Sequence, residues 1–195
     1  LLLPLLPVAA RPVVSIVVPI IGLFQVVLLP TDASIVVDAF GYDLELLRVD
    51  KLSRIFGVIF HIAALLSVIY ALHVKDLVQQ VGGLAYAGCA IGAVFTADLI
   101  SLFLFWEGTA ITSVFLIWAR RSERSYKTGM RYLIIQVGSG VLLLAGALLR
   151  YQETGSLAFE WVSSTGEDGH SSGPLGTFSF ETLGDASPAA LLILA

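Results

Sequence analysis

Glu107 is the side chain whose position in this sequence asks for a chemical explanation. It lies about nine residues into an apolar run that starts at Leu99, which is roughly 13 Å along a helix rising about 1.5 Å per residue. That depth is near the middle of a bilayer. An acid placed there costs about 2.5 to 3.5 kcal/mol on insertion scales, so a preference for burial does not account for it. On a helix its neighbours one turn away are Phe103, Leu104, Ile111 and Thr112. Aromatic and aliphatic surroundings favour the neutral form of an acid, and a cation approaching from another helix favours the carboxylate. A group exposed to both influences in turn can take up and release a proton, which is the chemistry a proton pathway requires. The alternative is a permanently protonated acid that only hydrogen-bonds one helix to another.

His61, near the middle of another apolar run, is a second candidate for proton relay. Neutral imidazole donates and accepts at once, and its unperturbed pKa is about 6.5. A packed polar contact is the competing reading. Gln25 and Gln136 cannot titrate, but they can orient water or neighbouring carbonyls as polar support, or simply hydrogen-bond between helices. Cys89 sits between Gly88 and Ala90, and a single cysteine can form neither an internal disulfide nor a cysteine metal cluster. His170 has no companion His or Cys at metal spacing, so no metal site is expected. The stretch Gly166-Glu-Asp-Gly-His-Ser-Ser-Gly173 has the pattern of neither a calcium loop nor a phosphate cradle. Gly138 and Ser139-Gly140 form no nucleotide motif and read as packing positions inside an apolar run.

The elements that must hold these residues follow from composition. Of 195 residues, 57% are hydrophobic and 13% charged, far from the roughly quarter-charged make-up of a soluble domain. Apolar runs cover 12–29, 52–71, 77–97, 99–119 and 129–149, each close to the ~20 residues that cross a hydrocarbon core. The expected fold is all-α, a polytopic transmembrane bundle of five complete spans within a single membrane domain. Residues 1–6 read as the tail of a preceding helix and 188–195 as the start of a following one, so a fragment of a longer chain is expected. Pro19 interrupts the first span, which membrane helices tolerate when a neighbour covers the freed carbonyl. The glycines at 82, 83, 88 and 92 permit close helix packing. Residues 1–10 lack a charged leader and a cleavage site, so they do not read as a signal peptide.

Loop charge then sets orientation. The connection 120–128, with Arg120, Arg121, Arg124 and Lys127 and with Arg131 just beyond, opposes Glu123 alone and is expected on the cytoplasmic side. Loops 31–50 and 150–187, both acidic, then fall outside. A net charge of −4 and the lack of a basic stripe interleaved with aromatics argue against nucleic acid.

At Asp98-Leu-Ile-Ser-Leu-Phe-Leu-Phe-Trp-Glu107, followed by the basic connection and Gly129-Met-Arg-Tyr-Leu-Ile134, the chain resembles the proton-translocating membrane transporter family. This family comprises antiporter-like membrane subunits of respiratory complex I and the D-type and A-type subunits of multisubunit sodium/proton antiporters. Val49-Asp50-Lys-Leu-Ser53 and Thr154-Gly-Ser-Leu157 add to the likeness, which extends over nearly all of the chain and is most like the D-type subunit. The resemblance implies inverted helical repeats, of which this chain would hold the end of the first helix, the second to sixth, and the start of the seventh. It carries the key acid of the fifth helix onto Glu107. The expected lysine partner on the seventh helix has no counterpart here, because Lys127 falls in the basic connection. Lys51 stands where a glycine is common, and no role passes to Asp50.

The resemblance implies a proton-conducting antiporter subunit at the cell membrane, working with other membrane subunits, protons, Na+ and lipid. It implies no nicotinamide, flavin or iron–sulfur centre on this polypeptide, and no redox active site of its own. Two alternatives remain at this point: a proton-pumping membrane subunit of a complex I-type assembly, and a structural scaffold in which Glu107 and His61 only fix packing.

Overall fold

The computed structural model describes residues 7, 10–30, 33–39, 42–74, 76–154 and 157. Both expected partial helices, 1–6 and 188–195, and nearly all of the last loop, His170 included, lie outside the described residues. Helix α1 spans Arg11–Leu28, α2 Lys51–Tyr70, α3 Leu77–Phe95, α4 Leu99–Trp118 and α5 Glu123–Thr154. All five are long and apolar enough to cross a membrane, and the chain is a multi-pass integral membrane protein with an all-α spanning bundle.

Short polar side chains start most of these helices. The carboxylate of Asp50 accepts from the backbone N–H of Ser53 at 2.6 Å while the Asp50 N–H donates to Ser53 Oγ at 2.9 Å, a reciprocal capping box opening α2. Asp98 caps α4 differently, with both contacts on its carboxylate: Oδ1 accepts from Ser101 N and Oδ2 from the Ser101 hydroxyl, both at 2.7 Å. Asp76 caps α3 by accepting from Val78 N, and Ser122 Oγ accepts from Ser125 N ahead of α5. Helix α1 instead has proline in its first turn, where the missing N–H costs nothing. Its last carbonyls are met from outside, since Arg54 Nη2 of α2 donates to Leu29 O.

Helix α5 takes up residues that the sequence reading left as connection. With Ser122 as cap, Glu123 in the first turn and Lys127 paired to Glu123 at 2.9 Å, the basic segment has the signals of a helix start. The turn between α4 and α5 shrinks to 119–122. The 32 residues of α5 give a length of about 48 Å at about 1.5 Å per residue, well beyond a hydrocarbon core of about 30 Å. The helix also runs past 149 to Thr154, so the following loop starts later than expected.

The loop 31–50 carries a structure that its acidic composition had hidden. Strand β1, Ser34–Ala39, pairs antiparallel with β2, Tyr42–Arg48, with a register shift between Ile35 and Val36. The β-branched Ile35-Val36-Val37 suits a strand. This hairpin lies on the bundle end where α3 passes to α4, since Ala97 N donates to Glu45 O at 3.1 Å; beside it Leu99 N donates to Leu157 O at 3.1 Å. Two apolar clusters bind the cap down: Leu44 with Leu99, Ala147 and Leu157, and Val49 with Val26 and Phe95. At the opposite end Arg121 Nη2 meets Asp76 Oδ1 at 3.3 Å, and the Trp118 ring stacks on Tyr126 with centroids 5.6 Å apart.

Within the described residues each helix packs chiefly on its sequence neighbours, α1 on α2, α2 on α3, α3 on α4 and α4 on α5. Wide apolar surfaces stay uncovered, including Phe24, Leu66, Ile134 and Ile135. Such surface needs lipid or further helices as its solvent.

Candidate functional site

Helix α4 presents two consecutive residues to two different neighbours. Gly108 faces α3, where a Cβ in its place would lie 2.7 Å from Cys89 Sγ. Glu107 faces α5, and its carboxyl group lies in the space left by the missing side chain of Gly140. A Cβ built there would overlap Glu107 Oε1, lie 2.7 Å from its Cδ, and stand 3.3 Å from Phe103 Cε2. Oε1 of Glu107 is shielded from solvent and has no hydrogen-bond partner. The hydroxyls that follow Glu107 along α4 are bonded to carbonyls of their own helix. Thr109 donates to Trp106 O at 2.7 Å, Thr112 to Gly108 O at 2.8 Å and Ser113 to Thr109 O at 2.7 Å, the local back-bonding usual for such residues in helices. A half-buried acid with an unanswered oxygen can accept a hydrogen bond from water or a cationic partner, or carry a proton itself.

His61 occupies another interface. It is buried in α2 at 7% exposure, and Nδ1 stands 2.7 Å from Gly57 O. A carbonyl only accepts, so Nδ1 carries the hydrogen, and in the neutral ring Nε2 keeps the lone pair. The Nε2 edge lies against α1 at Gly22, where an added Cβ would be 2.5 Å away. His61 is therefore at the α1–α2 contact and Glu107 at the α4–α5 contact, with α3 between. The described structure does not bring the two together.

Gln136 is half-buried on α5, one turn before Gly140 and so on the same helix face. Gln25 is exposed on α1, on a surface that no described helix covers. A cavity of about 570 Å³ opens among α1, α2 and α3, lined by Ser15, Phe60, Ser67, Gln80 and Tyr86 among others. It contains neither Glu107 nor His61.

Sequence reasoning missed two features here. Gly140 was legible only as a packing glycine, since nothing in a single sequence pairs it with Glu107. The Asp98–Ser101 cap, with Asp98 at 1% and Ser101 at 0% exposure, had a usable signal in its Asp-x-x-Ser spacing, which occurs again at Asp50–Ser53.

Five apolar spans with an acid at one helix–helix contact define the class as a polytopic membrane protein. Residues 96–190 match the family model described as NADH:quinone oxidoreductase/Mrp antiporter, TM. The Na(+)/H(+) antiporter subunit A1 of Staphylococcus aureus (strain bovine RF122 / ET3-1) is 30% identical over 130 residues, 63% of this chain and 16% of that protein. The same subunit of strain JH9 matches to the same extent. The chain thus spans about a sixth of the length of these curated relatives. In fold it is similar to a chain of the Mrp complex from Dietzia sp. DQ12-45-1b, with a TM-score of 0.68 and 22% identity over 82% of this chain and 20% of that one. It is likewise similar to a chain of the membrane-bound sulfane sulfur reductase, an archaeal respiratory membrane complex, with a TM-score of 0.66 and 22% identity over 77% of this chain and 25% of that one. Over these residues the chain is similar to Mrp- and complex-I-like antiporter membrane subunits. Nothing in these likenesses separates the D-type from the A-type.

Proposed function

We propose that this chain is part of a proton-conducting subunit of a multisubunit cation/proton antiporter, with Glu107 in the proton pathway. The observation that carries the reading is the Glu107 carboxyl group, set at mid-span between α4 and α5 with Oε1 shielded and without a hydrogen-bond partner. An unanswered oxygen at that depth is costly unless a proton, a water or a cation meets it during turnover. Gln136, on the α5 face that also carries Gly140, is positioned to orient water beside it. His61 is a separate relay candidate through its Nε2 lone pair, at the α1–α2 contact, and Gln25 faces the side where further helices would pack. Sodium is the coupling ion suggested by the names of the Staphylococcus aureus relatives. Those relatives are A1 subunits, whereas our reading of the sequence as a whole is of a D-type subunit; both assignments give Glu107 the same task.

The exposed apolar faces of α1, α2 and α5 are the surfaces on which lipid and partner membrane subunits would lie. The turn 119–122, with Arg120 and Arg121, is assigned to the cytoplasm, and the hairpin to the outside. A second reading, a proton-pumping subunit of a redox-linked complex, is favoured by the fold likeness to the respiratory sulfane sulfur reductase chain. In that case the electron chemistry belongs to other subunits.

The test is cation-dependent proton movement in vesicles holding the full-length subunit in its complete assembly. Glu107→Gln, which keeps size and removes titration, is expected to cut transport by about 100-fold or more, the scale of losing a proton-transfer group, at normal assembly levels. Transport equal to wild type at equal assembly overturns the proposal. Loss of assembly without a separate transport defect returns Glu107 to a scaffold role.

A further inference from the structure

We propose that Gly140 is the positioning residue for the Glu107 carboxyl group, and that the place and shielding of that acid are set by the absence of a side chain at this one point of α5. This inference rests on the functional reading above for its transport consequence, but the placement itself does not depend on it. Three observations carry it. A Cβ on Gly140 would overlap Oε1 and come within 2.7 Å of Cδ, so any other residue forces the carboxyl group to move. Phe103 Cε2 stands 3.3 Å from the same point, so the added methyl is hemmed in from a second side and the Glu107 carboxyl, the end of a flexible side chain, is the part that yields. The neighbouring Gly138 has nothing within 4 Å of an added Cβ, so close packing accounts for the glycine at 140 and not for the one at 138. Gly140 is itself buried and lies between the two helices that carry the acid and its covering face.

The consequence is a division of labour. Glu107 supplies the titrating group, and Gly140 fixes where that group can stand and which side of α4 its oxygens face. Displacing the carboxyl group away from α5 takes it out of the shielded α4–α5 contact, to where an apolar reagent dissolved in the lipid reaches it more easily.

The experiment uses the full-length subunit in its assembly, in native membranes, with Gly140→Ala beside Gly138→Ala. The first readout is the rate at which dicyclohexylcarbodiimide, an apolar carboxyl reagent, labels Glu107, measured by mass spectrometry of the peptide. Gly140→Ala is expected to raise that rate and Gly138→Ala to leave it at the wild-type value. The second is the pH profile of proton transport, expected to shift for Gly140→Ala alone, with a rate loss of up to about 100-fold, the effect of misplacing a reacting group by about 1 Å. If Gly140→Ala fails to assemble, Glu107→Asp in the same chain withdraws the carboxyl group by one methylene and is expected to restore assembly. Equal labelling of wild type and Gly140→Ala overturns the inference, as does failure of the Asp variant to rescue. If labelling changes while Glu107→Gln transports normally, the positioning stands and the proton-pathway role falls.

Discussion

Arg121 reaches from the turn between α4 and α5 to Asp76 at the head of α3, with Nη2 3.3 Å from Oδ1. The contact ties two connections at one end of the bundle. Its geometry carries a cost, since Arg121 has a φ of 51°, the left-handed region that an L-residue with a side chain enters at roughly 1 to 2 kcal/mol. The Arg121 side chain is 76% exposed, and pairs of that kind contribute about 1 kcal/mol or less. Arg121→Ala should therefore lose less than about 1 kcal/mol, and the loss should vanish at high salt. Arg121→Gly gives up the same pair but relieves the backbone, and is expected to be at least as stable as wild type. Thermal unfolding of the purified assembly in detergent, at low and high salt, ranks the three.

Asp98 and Ser101 close the start of α4 in a site almost free of solvent. Asp98→Ala removes the acceptor of both the Ser101 N–H and its hydroxyl. The expected loss is about 1 to 2 kcal/mol for the cap, with a further cost for a buried hydroxyl left unpaired. Asp98→Asn keeps an N-cap acceptor and should lose less. Denaturation midpoints of the two variants beside wild type check the order, which a purely electrostatic role would not produce.

Acid should act on the start of α2 in a defined direction. The backbone N–H of Ser53 holds the Asp50 carboxyl below its ordinary value, against a smaller opposing effect of burial, and the Ser53 hydroxyl and Arg48 add to the lowering. A folded-state value below the unfolded one gives a stability contribution that is complete above the ordinary aspartate pKa of about 3.9. It fades as pH falls through the lowered value. Wild type should thus exceed Asp50→Asn in stability at neutral pH, and the gap should close in acid. A pH series of unfolding midpoints for the two proteins measures it, and a gap that does not change with pH contradicts it.

Gly22 lets the His61 ring sit against α1. Gly22→Ala sets a methyl 2.5 Å from Nε2 and 2.7 Å from Cδ2, and overpacking of this kind costs about 1 to 3 kcal/mol. Gly83→Ala meets open space and should gain roughly 0.5 to 1 kcal/mol from reduced backbone freedom. In a His61→Ala background the Gly22 penalty should disappear, and the double-mutant cycle reads the coupling directly.

Much of the spanning bundle was legible because bilayer thickness converts directly into run length. The depth of Glu107 was legible for the same reason, since counting from Leu99 is enough to place it. The face it occupies was not, because helical rotation is settled by which neighbour packs where, and a single sequence carries no pairing of Glu107 with Gly140. Basic residues from Arg120 to Arg131 drew attention as a sidedness signal, and that reading hid their second property, that Arg and Lys are good helix formers. The hairpin escaped notice because its strands are short and its acidic residues read as plain loop, although Ile35-Val36-Val37 offered a strand signal. His61 was found by type, but its distance from Glu107 depends on the order of helices in the layer.

That order of packing has a bearing on how the protein is made. Every helix in the described region leans on the one translated just before it, so each new segment meets its docking surface already in place. Contacts of short sequence separation form quickly and leave few exposed intermediates. The bundle can therefore be laid down in the order of synthesis, and the hairpin, waiting at the far end for the junction of α3 and α4, is locked when that junction emerges.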